Sequence, residues 1–410
     1  MAVSEVKRQA REEPNTHSLH ITQQVLTAVD SETLVALPQE KSLKRSIQRV
    51  RREHQPALPR SLDEFDELPI RYREINGDNF LLFDNFDTNP HNRIMNFGTR
   101  DSINQMAASQ TWFGDGTFEC VARIITQLYV LLYEVQNNVL VGCFVLMKNR
   151  TEASYTILFE ALRALLPEER RQDTRLFSSN FEIATTNAFA VTFPESSERY
   201  CFFHFGQSLW RKAQATGIAE QYAREDNEDI RSQFHCCLAL AFVPAEEVRD
   251  AFLDLREAAD QQLDALLDHI EDYYVMGRRR GRGRQAPRFS IDSWNVYERT
   301  CQGQARTNNN CEAWNRRWKA LVGKSHPNIY SMLEKMQKEM QYSDAQRELI
   351  ELGNAPPRKK AKYAQNDERL KNLADTYRQV IAHTGDPNPW RNGHLRYLRA
   401  VGHSARGIFD

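Results

Sequence analysis

Two apolar runs separated only by QNN, residues 124–135 (IITQLYVLLYEV) and 139–147 (VLVGCFVLM), restrict the fold more than any other feature of this chain. Their composition and the short polar break between them predict a β-hairpin. The segment before them, WFGDGTFECV, predicts a further strand, with Asp115 inside it. Three consecutive strands therefore open this part of the chain.

Strand and helix patterns alternate after the hairpin. Thr151 occupies a helix N-cap position, with Glu152 in the first turn. The apolar residues that follow have helical spacing, up to Pro167: Tyr155, Leu158, Phe159, Leu162, Leu165 and Leu166. TRLFSS and RYCFFHF then predict strands, and EIATTNAFAVTF and GQSLWRKAQATGIAEQYARE predict helices. This order over about 111–215 predicts an α/β fold with a mixed sheet and helices on it.

The remaining segments are mainly helical, apart from a candidate strand, NFLLFDNF. We predict a helical, basic segment over 1–60, a first core part over 65–215, a helical insertion over 216–300, a closing helix of the core over 301–345 and a helical tail over 346–410. A Pro-punctuated linker separates the first two segments. The basic, Gly-rich segment GRRRGRGRQAPR predicts a loop within the insertion.

Charge gives no overall preference for nucleic acid, because the 410 residues contain 54 Lys and Arg against 55 Asp and Glu. A nucleic-acid site must therefore come from local patches. One candidate patch is the helix over residues 41–54, and the other is the Arg-rich loop. Their candidate DNA-binding residues are Lys44, Arg45, Arg49, Arg51 and Arg52 on the helix, and Arg278, Arg279 and Arg280 on the loop. A plain solvated helix and a flexible surface loop are the alternatives.

Localisation is indicated by three features. Seven cysteines without regular spacing suit an intracellular protein with reduced thiols. The charged N-terminus is not a secretory signal, and no run has the apolar length of a membrane span. The segment PPRKKAK resembles a nuclear-import signal, carried by Arg358, Lys359, Lys360 and Lys362.

Three polar positions form a candidate metal site. Chemistry on phosphodiesters with two divalent ions about 3.5–4 Å apart needs carboxylates that converge from separate elements. Asp115 lies between two glycines, which leave room for close approach. Glu312 lies off the apolar stripe of Trp314 and Trp318, roughly 160° around the helix from Trp314. The third position, at the end of the strand LFSS, is Asn180. Taken singly, the two acids could equally be structural or surface residues.

Several segments in order over about 65–340 resemble the transposase domain of Mutator-like elements (MULE), of the eukaryotic FLYWCH-associated type but without that zinc finger. The resemblance is carried by WFGDGTFECVARIITQLYVLL, KNRTEASYTILFEAL, NFEIATTNAFAVTFPE, CFFHFGQSLWRKAQATGIAEQY, LALAFVPAEEV, FSIDSWNVYERT and RTNNNCEAWNRRW. It implies an RNase-H-like fold with an inserted helical region, which cuts and joins double-stranded DNA with a DDE triad and Mg²⁺ or Mn²⁺.

The family pattern places the first acid on Asp115 and the third on Glu312, whereas the second falls on Asn180 and the family's closing histidine on Asn315. Because an amide ligates metal weakly and carries no charge, we expect a loss of several kcal/mol of transition-state stabilisation, roughly a thousandfold or more in rate. Glu182 has its own counterpart in the family, so we do not expect it to substitute.

The family's Cys-x-x-His motif corresponds to Cys201 and His204. Alternation along a strand would place these two side chains on opposite faces, so we do not expect a zinc site.

Two functions stay open from the sequence. The first is a nuclear Mutator-like transposase, or a relic of one, with impaired activity. The second is a host-adopted, catalytically inactive nuclear DNA-binding or scaffold protein. A homodimer suits both, since relatives act as multimers on paired element ends.

Overall fold

The structure is a computed structural model that describes residues 2–12, 16, 18–54, 56–65, 67–136, 138–179, 182–224, 226–304, 306, 309–354, 361–382 and 388–405. Side chains are described for these residues except 31, 32, 52, 54, 309, 310, 362 and 389. Asn180 and the import-signal residues Arg358, Lys359 and Lys360 lie outside the described part.

The N-terminal segment contains four helices: α1 (Ala2–Glu12), α2 (Ser18–Thr27), α3 (Ser31–Ala36) and α4 (Glu40–His54). Helices α1, α2 and α4 share a small apolar core made of Ala2, Val6, Ala10, Ile21, Val25, Leu43, Ile47 and Val50. Sequence analysis missed α1, although its buried residues recur every fourth position as one helical face requires.

The linker that follows is packed onto the core of the sheet domain. Leu62, Phe65 and Leu68 are buried together with residues of the sheet, and a short helix α5 (Ile70–Arg73) comes next. A two-stranded ribbon of β1 (Glu74–Ile75) and β2 (Asp78–Asn79) then turns through Asn76 and Gly77, both with positive φ. The linker is therefore anchored to the domain it precedes.

A seven-stranded mixed sheet forms the centre of the fold. Its strands are β3 (Leu81–Asp84), β4 (Ile94–Phe97), β5 (Thr111–Thr117), β6 (Gln127–Val135), β7 (Asn138–Met147), β8 (Leu176–Ser179) and β9 (Ser197–Tyr200). They lie in the order β3-β4-β7-β6-β5-β8-β9, antiparallel from β3 to β5 and parallel from β5 to β9. The predicted mixed sheet and its hairpin, β6–β7, are confirmed. Strand β4 was missed.

Three helices pack on one face of this sheet: α6 (Arg100–Ala108), α7 (Glu152–Leu165) and α8 (Ile183–Thr192). Thr151 caps α7 as predicted, accepting from the backbone N–H of Ser154 at 3.2 Å. Phe159 and Phe189 connect α7 and α8 through an edge-to-face contact. The predicted alternation of strands and helices over 111–215 is confirmed.

One predicted strand, RYCFFHF, is wrong in its second half. Strand β9 ends at Tyr200, and α9 (Phe202–Ala215) begins two residues later. Phe202, Phe205 and Leu209 are fully buried on one face of α9, and their spacing is helical. Strand β9 pairs with β8 as far as Tyr200 and Ser179, the last described residue of β8. The apolar run therefore continues as a helix.

The helical region after α9 has its own core. It contains α10 (Ile218–Ala223), α11 (Glu228–Ala239), α12 (Val248–Ala258), α13 (Asp264–Ile270), α14 (Ile291–Trp294) and α15 (Tyr297–Cys301). A second ribbon, β10 (Arg279–Arg280) with β11 (Gly283–Arg284), replaces the predicted Arg-rich loop. Gly277 has φ +81°, and a Cβ there would lie 1.8 Å from the carbonyl oxygen of Gln285. Only glycine therefore closes the base of this ribbon.

The last helices divide between the two cores. Helices α16 (Asn309–Val322) and α17 (Ile329–Glu351) cover the second face of the sheet. Helices α18 (Ala361–Asp375), α19 (Tyr377–Ile381) and α20 (Gly393–Ala405) pack into the core of the helical region, where α20 lies against α11. One π-helical turn covers Glu271–Val275. The described 3-10 turns are Pro90–Asn92, Glu168–Arg170, Leu240–Phe242, Ala245–Glu247, Gln261–Leu263 and Pro389–Arg391.

Candidate active site

Asp115 lies near the C-terminal end of the central strand β5, with only 6% of its surface exposed. Its Oδ1 accepts a hydrogen bond from the backbone N–H of Gly116 at 2.8 Å. On the opposite face of the strand, a Cβ at Gly114 would lie 2.2 Å from the hydroxyl of Tyr129. The glycine is therefore required by the close approach of Tyr129 from β6, which fixes the strand beneath the acid.

Helix α16 brings Glu312 and Asn315 to Asp115. Asn315 donates from Nδ2 to Oδ2 of Asp115 at 2.6 Å. Glu312, one turn earlier on the same helix, is partly buried. Burial raises the pKa of Glu312, the negative charge of Asp115 raises it further, and Arg316 opposes both effects. The acids predicted from separate elements are thus close enough to interact electrostatically.

One oxygen of Glu312 lacks a hydrogen-bond partner within the described part of the chain. Its Oε1 is buried and accepts no hydrogen bond from any residue that the structure describes. A buried carboxylate oxygen without a donor is costly unless a cation or a proton satisfies it. The donor set of Asp115 and Glu312 therefore fits a hard divalent cation on one side of the site.

The neighbouring strand β8 ends at Ser179, immediately before Asn180. Ser178, two residues before Asn180, pairs with Phe113, two residues before Asp115. Because β5 and β8 are parallel, their C-terminal ends lie at the same edge of the sheet. The described part of β8 therefore ends at the sheet edge that carries Asp115, and Asn180, the third predicted position, lies outside the described residues.

Glu182 already has two partners. Its Oε1 accepts from Arg150 at 3.0 Å, and its Oε2 accepts from the hydroxyl of Tyr155 at 3.0 Å. Tyr155 in turn accepts from Nε2 of Gln127 at 2.7 Å. A carboxylate committed to this network is poorly placed to replace a missing metal ligand at position 180.

A scan against known protein families matched one segment of the chain. Residues 111–208 match the MULE transposase domain. The matched MULE segment begins at the first residue of β5 and ends within α9, so it contains Asp115 and position 180 but not Glu312. The match indicates a transposase or a transposase-derived protein. A search of curated proteins gave no match to the chain.

The Cys-x-x-His positions lie at the end of this MULE segment. Cys201 is fully buried immediately before α9, and His204 is in its first turn, so the predicted strand geometry, with the two side chains on opposite faces, is wrong. Burial lowers the pKa of His204 to about 4, which keeps its imidazole neutral at neutral pH. Among the described residues, no group of three or more His, Cys, Asp or Glu side chains could hold a metal ion.

Outside the MULE segment, the predicted basic residues of α4 have different roles. Lys44 pairs with Glu40, and Arg49 with Glu53 at 3.8 Å, whereas Arg45 is exposed and has no ion pair among the described residues. Arg51 is partly buried and donates to the backbone oxygen of Thr16 and to Ser18. Arg51 therefore holds the helices of the bundle together. The backbone of Arg52 lies in α4, and its side chain is not described.

The ribbon β10–β11 presents arginines to solvent. Arg278 stacks on the ring of Tyr273 with its guanidinium carbon 4.5 Å from the centroid. Arg284 pairs with Glu271. Arg279, Arg280 and Arg282 are exposed and have no ion pair in the described part of the chain. These three guanidinium groups are therefore open to solvent.

The import-like residues are largely outside the described structure. Of the four, only Lys362 falls within it, in the first turn of α18, and its side chain is not described. No helix in the described ranges is long and apolar enough to cross a membrane.

Several site residues escaped sequence analysis. Arg150, Tyr155 and Phe118 surround the edge that carries Asp115, yet Tyr155 was assigned only to the apolar stripe of α7. Asn315 was noted only where it departs from the family's histidine. No spacing in the sequence shows that these residues meet, because their proximity depends on the packing of α7 and α16 against the sheet.

The glutamate at this site gives a stability prediction. Glu312→Gln removes a carboxylate that burial and Asp115 disfavour, so without metal we expect a higher Tm than that of wild type at pH 8. The pKa of Glu312 is raised above the usual glutamate value of 4.5, so ionisation of Glu312 destabilises the folded protein as the pH rises above 4.5. The gain should therefore be larger at pH 8 than at pH 4.5 in thermal unfolding.

The matched control is Glu257→Gln, which changes an exposed carboxylate on α12 and should leave Tm unchanged. A Glu312→Gln protein that unfolds at a lower temperature than wild type at pH 8 would show that the Glu312 carboxylate has a favourable partner.

Proposed function

We propose that this chain is a Mutator-like transposase or a transposase-derived protein, with an RNase-H-like core that binds double-stranded DNA at the sheet edge carrying Asp115. The proposal rests chiefly on one observation: α16 meets the end of β5, where Asn315 bonds Asp115 at 2.6 Å and Glu312 lies one turn before Asn315, although 197 positions separate Asp115 from Glu312. Acids brought together from distant elements at one sheet edge suit metal-dependent phosphodiester chemistry.

Asp115 and Glu312 would hold Mg²⁺ or Mn²⁺, and the orphaned Oε1 of Glu312 is a ready ligand atom. The bound metal would supply Lewis-acid activation of the phosphodiester and of the attacking oxygen. By the family resemblance the second acid falls on Asn180, whose amide carries no charge, and Glu182 is held by Arg150 and Tyr155. The site therefore lacks one anionic ligand, and we infer impaired cleavage and strand transfer.

A second function, a host-adopted nuclear DNA-binding or scaffold protein without catalysis, is favoured by one contact. The amide of Asn315 donates to Oδ2 of Asp115, which is an oxygen that a metal ion would use. An amide N–H occupying that position competes with a cation. Terminal inverted repeats flanking the gene would favour the mobile element, and their absence would favour adoption.

The DNA contacts that we propose outside the catalytic edge come from two exposed basic surfaces. On α4 we retain Lys44, Arg45 and Arg49, and on the ribbon Arg279, Arg280 and Arg282. Each phosphate contact releases condensed counterions, so the affinity should fall steeply with salt. Arg51 is excluded because its guanidinium is used within the bundle.

The test measures binding of fluorescent double-stranded DNA by the full chain at 50 and 200 mM salt. Wild type should bind, and a triple Arg279→Ala, Arg280→Ala, Arg282→Ala variant should bind about tenfold more weakly with a shallower salt dependence. Arg224→Ala, which removes an exposed arginine already paired with Asp226, is the matched control. Absence of wild-type binding at 50 mM salt would contradict the proposed function.

A further inference from the structure

We propose that Phe118 and Arg150 form a binding site for a single unpaired nucleotide of a DNA strand beside Asp115. Phe118 would stack on the base, and Arg150 would bind the adjoining phosphate. The inference rests on the proposed function for the identity of its ligand, but it concerns residues that have no part in holding metal.

Phe118 is an exposed aromatic ring at the edge of the candidate active site. It follows the last residue of β5, three positions after Asp115, and 43% of its surface is exposed. Its Cζ lies 3.6 Å from the place where a Cβ on Gly116 would be, so the ring lies back against the strand end. No other phenylalanine in the described ranges is exposed to this extent. Core packing does not account for its position.

Arg150 lies over this ring. Its guanidinium carbon is 4.4 Å from the ring centroid, and its Nη2 bonds Oε1 of Glu182 at 3.0 Å. The side chain of Arg150 is 43% exposed, and that of Glu182 is 24% exposed. The guanidinium has five N–H donors and Nη2 uses one on Glu182, so a phosphate can bind other N–H groups of Arg150 while the ion pair stays in place. The ring remains substantially exposed even with Arg150 stacked on it.

The geometry favours an unpaired nucleotide over a base within a duplex. Both faces of a base inside an intact duplex are covered by its neighbours, so a protein ring can stack on such a base only where the stack has been opened. A cation beside an aromatic ring matches the two parts of one nucleotide, its phosphate and its base. Because Phe118 immediately follows the strand that carries Asp115, the bound nucleotide would adjoin the phosphate presented to the acids.

The experiment uses the full chain in EDTA, so that no cleavage takes place. Two probes are compared by fluorescence anisotropy: a duplex with one extrahelical 2-aminopurine and the same duplex fully paired. Wild type should bind the first probe at least about fivefold more tightly and change its 2-aminopurine emission. Phe118→Ala and Phe118→Leu should lose this preference, and Phe118→Trp should keep it. Arg150→Ala should weaken binding of the extrahelical probe.

The matched control is Tyr342→Ala, since Tyr342 is also an exposed ring, 47% exposed, with Arg317 stacked at 4.9 Å. It should leave the preference intact. Equal wild-type affinity for the two probes, or a preference that survives Phe118→Ala, overturns this inference while leaving DNA binding in place. Absence of binding to both probes overturns this inference together with the proposed function.

Discussion

The Asn180→Asp variant is expected to cleave terminal-repeat DNA roughly a thousandfold faster than wild type in Mg²⁺ or Mn²⁺. The substitution restores an anionic ligand at the end of β8, on the edge shared with Asp115. A gain of this size corresponds to several kcal/mol of transition-state stabilisation. The measurement is single-turnover nicking and strand transfer on labelled duplexes.

Two further variants make this result interpretable. Asp115→Asn combined with Asn180→Asp should return the rate to the wild-type level, because the restored ligand then lacks its partner on β5. Asn315→His combined with Asn180→Asp removes the amide that bonds Asp115 and should cleave at least as fast as Asn180→Asp alone. The hypothesis that Asn180 impairs cleavage is wrong if the wild-type protein cleaves as rapidly as the Asn180→Asp variant.

The substitution Asp84→Ala is expected to lower the free energy of unfolding strongly. Arg93, which immediately precedes β4, is fully buried. Its Nε and Nη2 donate to Oδ1 and Oδ2 of Asp84 at 2.9 and 2.6 Å, which makes the ion pair bidentate. It also donates to the backbone oxygens of Leu62 and Phe65. Removing Asp84 leaves a buried guanidinium without its counter-charge, which should cost about 3–5 kcal/mol in unfolding by denaturant.

Asp226→Ala is the control for this prediction. Asp226 also pairs with an arginine, Arg224, but both side chains are more than half exposed, so the change should cost less than about 1 kcal/mol. A similar decrease in the free energy of unfolding for Asp84→Ala and Asp226→Ala would show that the burial of Arg93 does not increase the cost of removing its partner. Loss of stability in Asp84→Ala should also release the linker, detectable as proteolysis near residues 56–65.

Much of the sheet could be predicted because the secondary structure that the local sequence favours is the one that the tertiary structure contains there. The hairpin β6–β7 has long apolar runs on either side of a short polar break, and Thr151 caps α7 through contacts within one turn. Strand β4 was missed because four residues between polar loops carry little periodicity. The prediction of a strand through Cys201 was wrong for a different reason. A short apolar run after a strand can continue as a strand or begin a helix, and the residues that pack against it decide between the two.

The candidate site could be predicted only in part. Asp115 and Glu312 were predicted from residue type, helical position and a family resemblance, and the structure brings their helix and strand together through the bond from Asn315 to Asp115. The engagement of Glu182 by Arg150 and Tyr155, and the use of Arg51 within the N-terminal bundle, follow from contacts between distant segments. A charged residue looks the same in a sequence whether its charge is free or already neutralised.

By itself, the sequence determined the succession of strands and helices over 111–215, the candidate acids and the neutral residue at position 180, because hydrophobic period and residue chemistry are properties of the chain. The tertiary structure decided which charges meet. It joined α16 to β5, placed Arg150 over Phe118 and packed α18–α20 into the core of the helical region. Those contacts depend on the burial of apolar faces from distant segments, and local spacing carries no record of which faces are buried together.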